Sequence, residues 1–118
     1  MSDVIIYHNP RCSKSRQTLA LLEEYGVTPS IVYYLKTPPD ADTLQGLLAS
    51  LGMKASELIR SKDALYKELD LAEKTLTESQ WLEVLVAHPQ LMERPIVVRG
   101  DKAVLGRPPE NVLALIDD

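Results

Sequence analysis

Cysteine is nearly absent: the 118-residue chain holds one, Cys12. A single thiol cannot build an internal disulfide framework, and with two histidines it matches no zinc spacing. A reduced, cytoplasmic protein without a bound metal or cofactor is expected. Phenylalanine is missing and tryptophan occurs once, so the core must be built from Leu, Val and Ile. No apolar run approaches the roughly 18 residues of a membrane-spanning helix. The start, Met1-Ser2-Asp3, lacks the basic region of a signal peptide. Positive charge is also short. Against 17 Asp and Glu stand 13 Lys and Arg, and the net charge of −4 gives bulk nucleic-acid binding no support. Any anion site must therefore be a local concentration of cations. Repeats, linkers and low-complexity segments are lacking as well.

What is present reads as a single domain over residues 1–118, long enough to bury a core. The pattern predicts a strand over Val4–Tyr7 and a helix over Ser13–Tyr25, with Leu19 and Leu22 on one face and Gly26 as its stop. Ile31–Leu35 is β-branched and aromatic, a good strand. A helix between two strands implies a right-handed crossover and a parallel pair.

From about residue 37 to 93 the pattern turns helical. Pro38-Pro39-Asp40 opens a helix carrying Leu44, Leu47, Leu48 and Leu51, closed by Gly52. Short helical pieces follow over Ala55–Arg60 and Ala64–Leu69. Thr77 and Gln80 fit a capping box opening a helix with Leu82, Leu85 and Val86 inward, ended by Pro89. Pro95–Val98 and Lys102–Leu105 then flank a Gly100-Asp101 turn, a hairpin signature. A last helix opens at Pro108-Pro109-Glu110, with Val112, Leu113 and Ile116 apolar. The order β-α-β, helices, β-β-α predicts an α/β protein, a thioredoxin-like three-layer sandwich with a helical insertion over about 37–93.

Cys12 falls between the first strand and the first helix. Free amides and the positive end of a helix dipole favour a thiolate there. A free cysteine is often only a small buried hydrophobe, but the neighbours here are Arg11, Ser13 and Lys14. An ordinary thiol is about 3% ionised at pH 7, and a fall of about two pKa units, worth about 2.7 kcal/mol, makes it mostly thiolate. Ser15 stands where a Cys-x-x-Cys pair would place its second thiol, so Cys12 has no local disulfide partner. A cysteine phosphatase loop needs arginine six positions after its cysteine, and position 18 is Thr.

His8, four residues before Cys12, could tune the thiol by hydrogen bonding or serve as a structural hydrogen-bonder. His88 reads as a helix C-terminal residue favoured by the dipole. Arg94 precedes Pro95 and Arg107 precedes Pro108, both at rigid junctions expected to face the Cys12 loop. Rigid guanidinium groups suit bidentate recognition of a tetrahedral oxyanion. Arg60, ending a short insertion helix, carries no such local signal.

Several separated motifs occur in a recognisable order. Tyr7-His8-Asn9-Pro10-x-Cys12-x-x-Ser15-Arg16, Tyr34-Leu35-x-Thr37-Pro38-Pro39, Arg94-Pro95-Ile96-Val97-Val98 and Gly106-Arg107-Pro108-Pro109 strongly resemble the glutaredoxin-coupled arsenate reductases of bacteria. The likeness runs from about Val4 to Ile116. It implies a thioredoxin-like fold with Cys12 as nucleophile, Arg60, Arg94 and Arg107 as oxyanion ligands, and His8 tuning the thiol. It also places Pro95 where such folds carry a cis proline. The loop, with Arg11, Ser13 and Lys14, departs from the best-known members and is more basic through Arg11 and Lys14, and the chain is similar to a shorter subgroup.

The activity so implied is reduction of arsenate to arsenite, with glutathione as co-substrate and glutaredoxin as partner. One sulfur supplies no resolving partner, which motivates an external thiol. The protein is expected to act as a monomer, away from nucleic acid and membrane. Two other readings fit the same thiol. A monothiol oxidoreductase for glutathione mixed disulfides would not need three arginines, so saturation by arsenate separates it. A regulator binding RNA polymerase, as Spx-type proteins do, commonly carries a Cys-x-x-Cys switch that Ser15 interrupts.

Overall fold

Four strands build the sheet: β1 (Val4–His8), β2 (Ser30–Tyr33), β3 (Ile96–Arg99) and β4 (Lys102–Leu105). The computed structural model describes residues 4–116. The strands lie in the order β2-β1-β3-β4. The pair β1–β2 is parallel, with Ile6 opposite Ile31. The pairs β1–β3 and β3–β4 are antiparallel, with Ile6 opposite Val97 and Val97 opposite Val104. This is the mixed sheet predicted for a thioredoxin-like α/β fold. Central β1 opens on the apolar run Val4–Tyr7 because it has a strand on each side and is buried along most of its length.

At the sheet edge, β2 is open, leaving Ile31 37% and Tyr33 44% exposed. It stops at Tyr33, short of the predicted Leu35. The amides of Lys36 and Thr37 both donate to the Tyr33 carbonyl at 2.9 Å. That turn ends the ladder, burying Tyr34 and leaving Leu35 exposed. The β3–β4 hairpin forms as expected. Gly100, at φ 63°, occupies the first of its two loop positions, where a primed turn requires glycine.

Helix α1 spans Ser13–Glu24, and Gly26, at φ 81°, follows its end. Its buried face differs from the predicted Leu19/Leu22 stripe: Ser15, Thr18 and Leu22 are buried, and Leu19 only partly. The first two turns face the His8 ring, the Asn9 amide and the Gly106 carbonyl rather than hydrocarbon, so hydroxyls occupy the inward positions. Deeper along the helix, Leu22 joins Val4, Ile6, Val97, Val112 and Leu115 in one core cluster. Each such side chain contributes roughly 1.5–3 kcal/mol by leaving water.

Residues 38–93 cluster as one compact unit, while those up to Thr37 and from Arg94 form another. Within the first of these lie α2 (Ala41–Leu51), α3 (Ala64–Glu68) and α4 (Glu78–Ala87). Asp40 caps α2 by accepting the Thr43 amide at 2.8 Å. Leu44, Leu47 and Leu48 are buried and Leu51 only partly. The Thr77–Gln80 capping box is formed, and Leu82 and Leu85 of α4 are buried. The predicted piece over Ala55–Arg60 is a 3-10 turn over Ala55–Leu58. Ile59 is already extended there and pairs with Met92.

The C-terminal helix opens as a 3-10 turn, Pro109–Val112, before one short α-turn, α5 (Leu113–Ile116). Pro109, Val112 and Leu115 are buried there, while Leu113 and Ile116 are only partly so. Among the described residues no helix is long and apolar enough to cross a membrane.

Candidate active site

The chain leaving β1 folds into a tight turn before it enters α1. The Cys12 amide donates to the Asn9 carbonyl at 3.0 Å, and Asn9 Oδ1 accepts the Arg11 amide at 3.0 Å. Arg16 reaches back from the helix, its Nη1 donating to the Pro10 carbonyl at 2.8 Å. Cys12 is the N-cap of α1, partly exposed, and the first turn of that helix contains no acid.

Several groups act on the thiol. Burial pushes the Cys12 thiol up, but the Ser15 amide, the Arg94 charge, the Lys14 amide and an Arg94 donor together outweigh it. The net direction is downward, toward thiolate.

His8 is buried, and its Nδ1 shares a hydrogen bond with Ser15 Oγ at 2.6 Å. Burial, with the Arg16 charge second, holds His8 below the ordinary imidazole pKa, so the ring is neutral at neutral pH. Its edge-on contact with Tyr33, ring centres 5.9 Å apart, fixes the ring plane. Ser15 Oγ also accepts the Asn9 amide at 3.0 Å. One wholly buried hydroxyl thus ties β1, the turn and α1 together. Ser15→Ala removes the partner of two inward polar groups and is expected to cost about 1–3 kcal/mol. Urea unfolding measures it, and an unchanged midpoint would show that the hydroxyl carries no such role.

Arg94 is only 9% exposed, and its Nε and Nη1 are buried with no hydrogen-bond partner among the described residues. Cis peptides join Arg94 to Pro95 and Arg107 to Pro108. Arg107, on the exposed side, donates from Nη1 to the Arg94 carbonyl at 3.4 Å. The two arginine loops are joined to α1 through Gly106 and Thr18. The Gly106 amide donates to the Pro95 carbonyl at 2.9 Å. Thr18 Oγ1 lies 2.8 Å from the Lys14 carbonyl and 3.2 Å from that of Gly106.

Gly106 has no room for a side chain. A Cβ there would stand 2.5 Å from Thr18 Oγ1 and 2.9 Å from both Thr18 Cγ2 and Pro95 Cγ. Thr18 and Pro95 are fully buried and cannot step aside. Gly106→Ala is therefore expected to destabilise the fold by about 1–3 kcal/mol. A thermal melt checks it, and a Tm equal to that of the parent protein would contradict it.

Arg60 belongs to the unit of residues 38–93. There its Nη1 pairs with Asp63 Oδ2 at 3.0 Å, and its Nε lies 3.9 Å from Glu93 Oε1. Its backbone is pinned as well, the amide donating to the Leu91 carbonyl at 2.7 Å.

The structure brings Cys12, Arg94 and Arg107 into one unit, with His8 at the end of β1 bonded to Ser15 in the first turn of α1. Three contributors carried no functional signal in the sequence reading. Ser15 was legible as a missing second cysteine and as part of a motif, Thr18 only as a missing phosphatase arginine, and Gly106 only as part of a motif. A serine and a threonine three positions apart on a helix face were the one available hint.

The same arrangement has relatives. The chain is 59% identical to the uncharacterized protein YfgD of Escherichia coli, the match covering 96% of each chain. It is 47% identical to an arsenate reductase of Haemophilus influenzae, over 96% of this chain and 98% of that one. A solved structure of arsenate reductase from Vibrio cholerae superposes with a TM-score of 0.91 at 48% identity, covering 97% of both chains. The pattern of the ArsC family matches residues 7–115, a span that takes in the Cys12 turn, Arg94 and Arg107 together. The chain belongs to the ArsC family.

Proposed function

We propose that this protein is an arsenate reductase in which the Cys12 thiolate attacks arsenic. The observation that carries the reading is Arg94: a buried guanidinium beside a thiol drawn toward thiolate, with two nitrogens lacking partners among the described residues. A buried charged donor left unpaired is costly, and a tetrahedral oxyanion offers the acceptors it lacks. Arg107, tied to the Arg94 backbone, supplies a second cation to the same anion. For Arg60 as a third ligand the support is the family resemblance alone.

The sulfur of Cys12 bonds to arsenic and an arsenate oxygen leaves as water. A second thiol, from glutathione, then completes the reduction. Overall, arsenate and two thiols give arsenite, one disulfide and one water. The electron pair released as the S–S bond forms takes arsenic from the +5 to the +3 state. The Cys12–glutathione disulfide is cleared by thiol exchange with glutaredoxin. His8, neutral and held by Ser15, acts on Cys12 by fixing the turn rather than by taking its proton.

The test is a coupled assay containing glutathione, glutaredoxin and glutathione reductase, read as NADPH loss. Arsenate-dependent loss is expected, with arsenite as product. No dependence on arsenate would end this reading.

A further inference from the structure

We propose that the groove beside the Cys12 turn seats the anionic thiol co-substrate, with Arg11 and Lys36 holding its carboxylates. This rests on the arsenate reductase reading above and assigns a second substrate site within it. The cavity has a volume of about 460 Å³. The Asn9–Arg11 turn forms one side and Tyr33, Leu35 and Lys36 form the other, with His8 also lining it. That volume lies in the range of small-molecule sites, roughly 300–1,000 Å³, and suits a tripeptide.

The lining chemistry narrows the occupant. Among the described residues two cations and no acid line the groove, in a chain whose net charge is −4. Tyr33 and Leu35 are large apolar side chains left 44% and 45% exposed, and they offer a shelf for an aliphatic backbone. The turn that ends β2 holds Lys36, its amide bonded to the Tyr33 carbonyl at 2.9 Å. On the opposite side Arg11 is held by the Asn9 side chain, and the next residue is Cys12. An anionic peptide thiol seated here has its charges on Arg11 and Lys36 and its sulfur next to the reacting cysteine. The oxyanion is left to Arg94, so the two substrates do not compete for one cation.

The experiment compares the parent protein with Arg11→Glu/Lys36→Glu. Both residues are exposed, so the fold is expected to survive. The apparent KM for glutathione should rise about tenfold or more, the sum of two reversed charge contacts. The KM for arsenate and the rate supported by the neutral thiol 2-mercaptoethanol should stay within about twofold. In parallel, S-methylglutathione, which cannot react, is titrated by NMR. Amide shifts at Asn9, Tyr33 and Lys36 are expected in the parent protein, with about tenfold weaker binding in the variant.

An unchanged glutathione KM overturns the proposal, as do shifts that map elsewhere. An equal loss with 2-mercaptoethanol also overturns it, because the charges would then act on Cys12 itself. A rise only in the KM for glutaredoxin overturns it in favour of a protein-docking face. If S-methylglutathione binds here but no arsenate is turned over, the arsenate reading fails and the groove stands.

Discussion

Cys12→Ser is expected to abolish arsenate reduction, by about 10⁴-fold or more, with the fold intact. The chain holds no second sulfur nucleophile to take over. A serine hydroxyl at the N-cap of α1 keeps a capping residue there, so the helix should not suffer. Its pKa lies far too high for the surrounding amides and Arg94 to ionise it, and an ester of arsenate would hold no electrons to donate. Reduction requires sulfur, since the electron pair comes from forming an S–S bond. The coupled assay measures the loss, and circular dichroism shows that the fold survives. A variant retaining even a tenth of the parent rate would remove Cys12 from the reaction.

The second large effect belongs to Arg94. Arg94→Ala is expected to lower kcat/KM for arsenate by about 10²–10³-fold, the usual cost of removing one preorganised donor for an oxyanion. It should also raise the Cys12 pKa, since the Arg94 charge and donor both favour the thiolate. Iodoacetamide alkylation against pH reads this separately from arsenate chemistry. In the parent protein the alkylation midpoint should lie below the ordinary thiol value of about 8.5, and in the variant it should move up. Arg94→Lys separates the two effects. It keeps the charge and most of the thiol shift but loses the forked donors, so arsenate kinetics should fall while alkylation changes little. If the midpoint stays put in Arg94→Ala, the helix-start amides alone control the thiol.

The sign of the linked stability follows from the same shift. Folding lowers the Cys12 pKa, so the native state favours the thiolate. That stabilisation is complete above the ordinary thiol pKa and is lost as the pH falls through the folded value.

Features written in neighbouring residues were legible in the sequence. Gly26 ends α1, the Thr77–Gln80 box starts α4, and Gly100 turns the β3–β4 hairpin, each through backbone chemistry within a few positions. The position of Cys12 between strand and helix was legible in the same way. The ends of β2 and of the C-terminal helix were less so. The Tyr33 carbonyl accepting two amides, and a 3-10 turn forming before an α-turn, depend on what lies underneath rather than on propensity.

The sequence by itself determined a lone thiol at a helix start, cations nearby, and the order of strands and helices. Those follow from local spacing and composition. Only the tertiary structure decided that Arg94 is buried beside that thiol with two nitrogens unpaired among the described residues, and that Ser15 rather than Cys12 holds His8. It also decided that Thr18 meets the Gly106 carbonyl across 88 positions of chain, and that Arg11 and Lys36 line one groove. The physical reason is the same in each case. Burial, desolvation and hydrogen-bond satisfaction are properties of what surrounds a residue, and here the surroundings come from segments far apart in sequence.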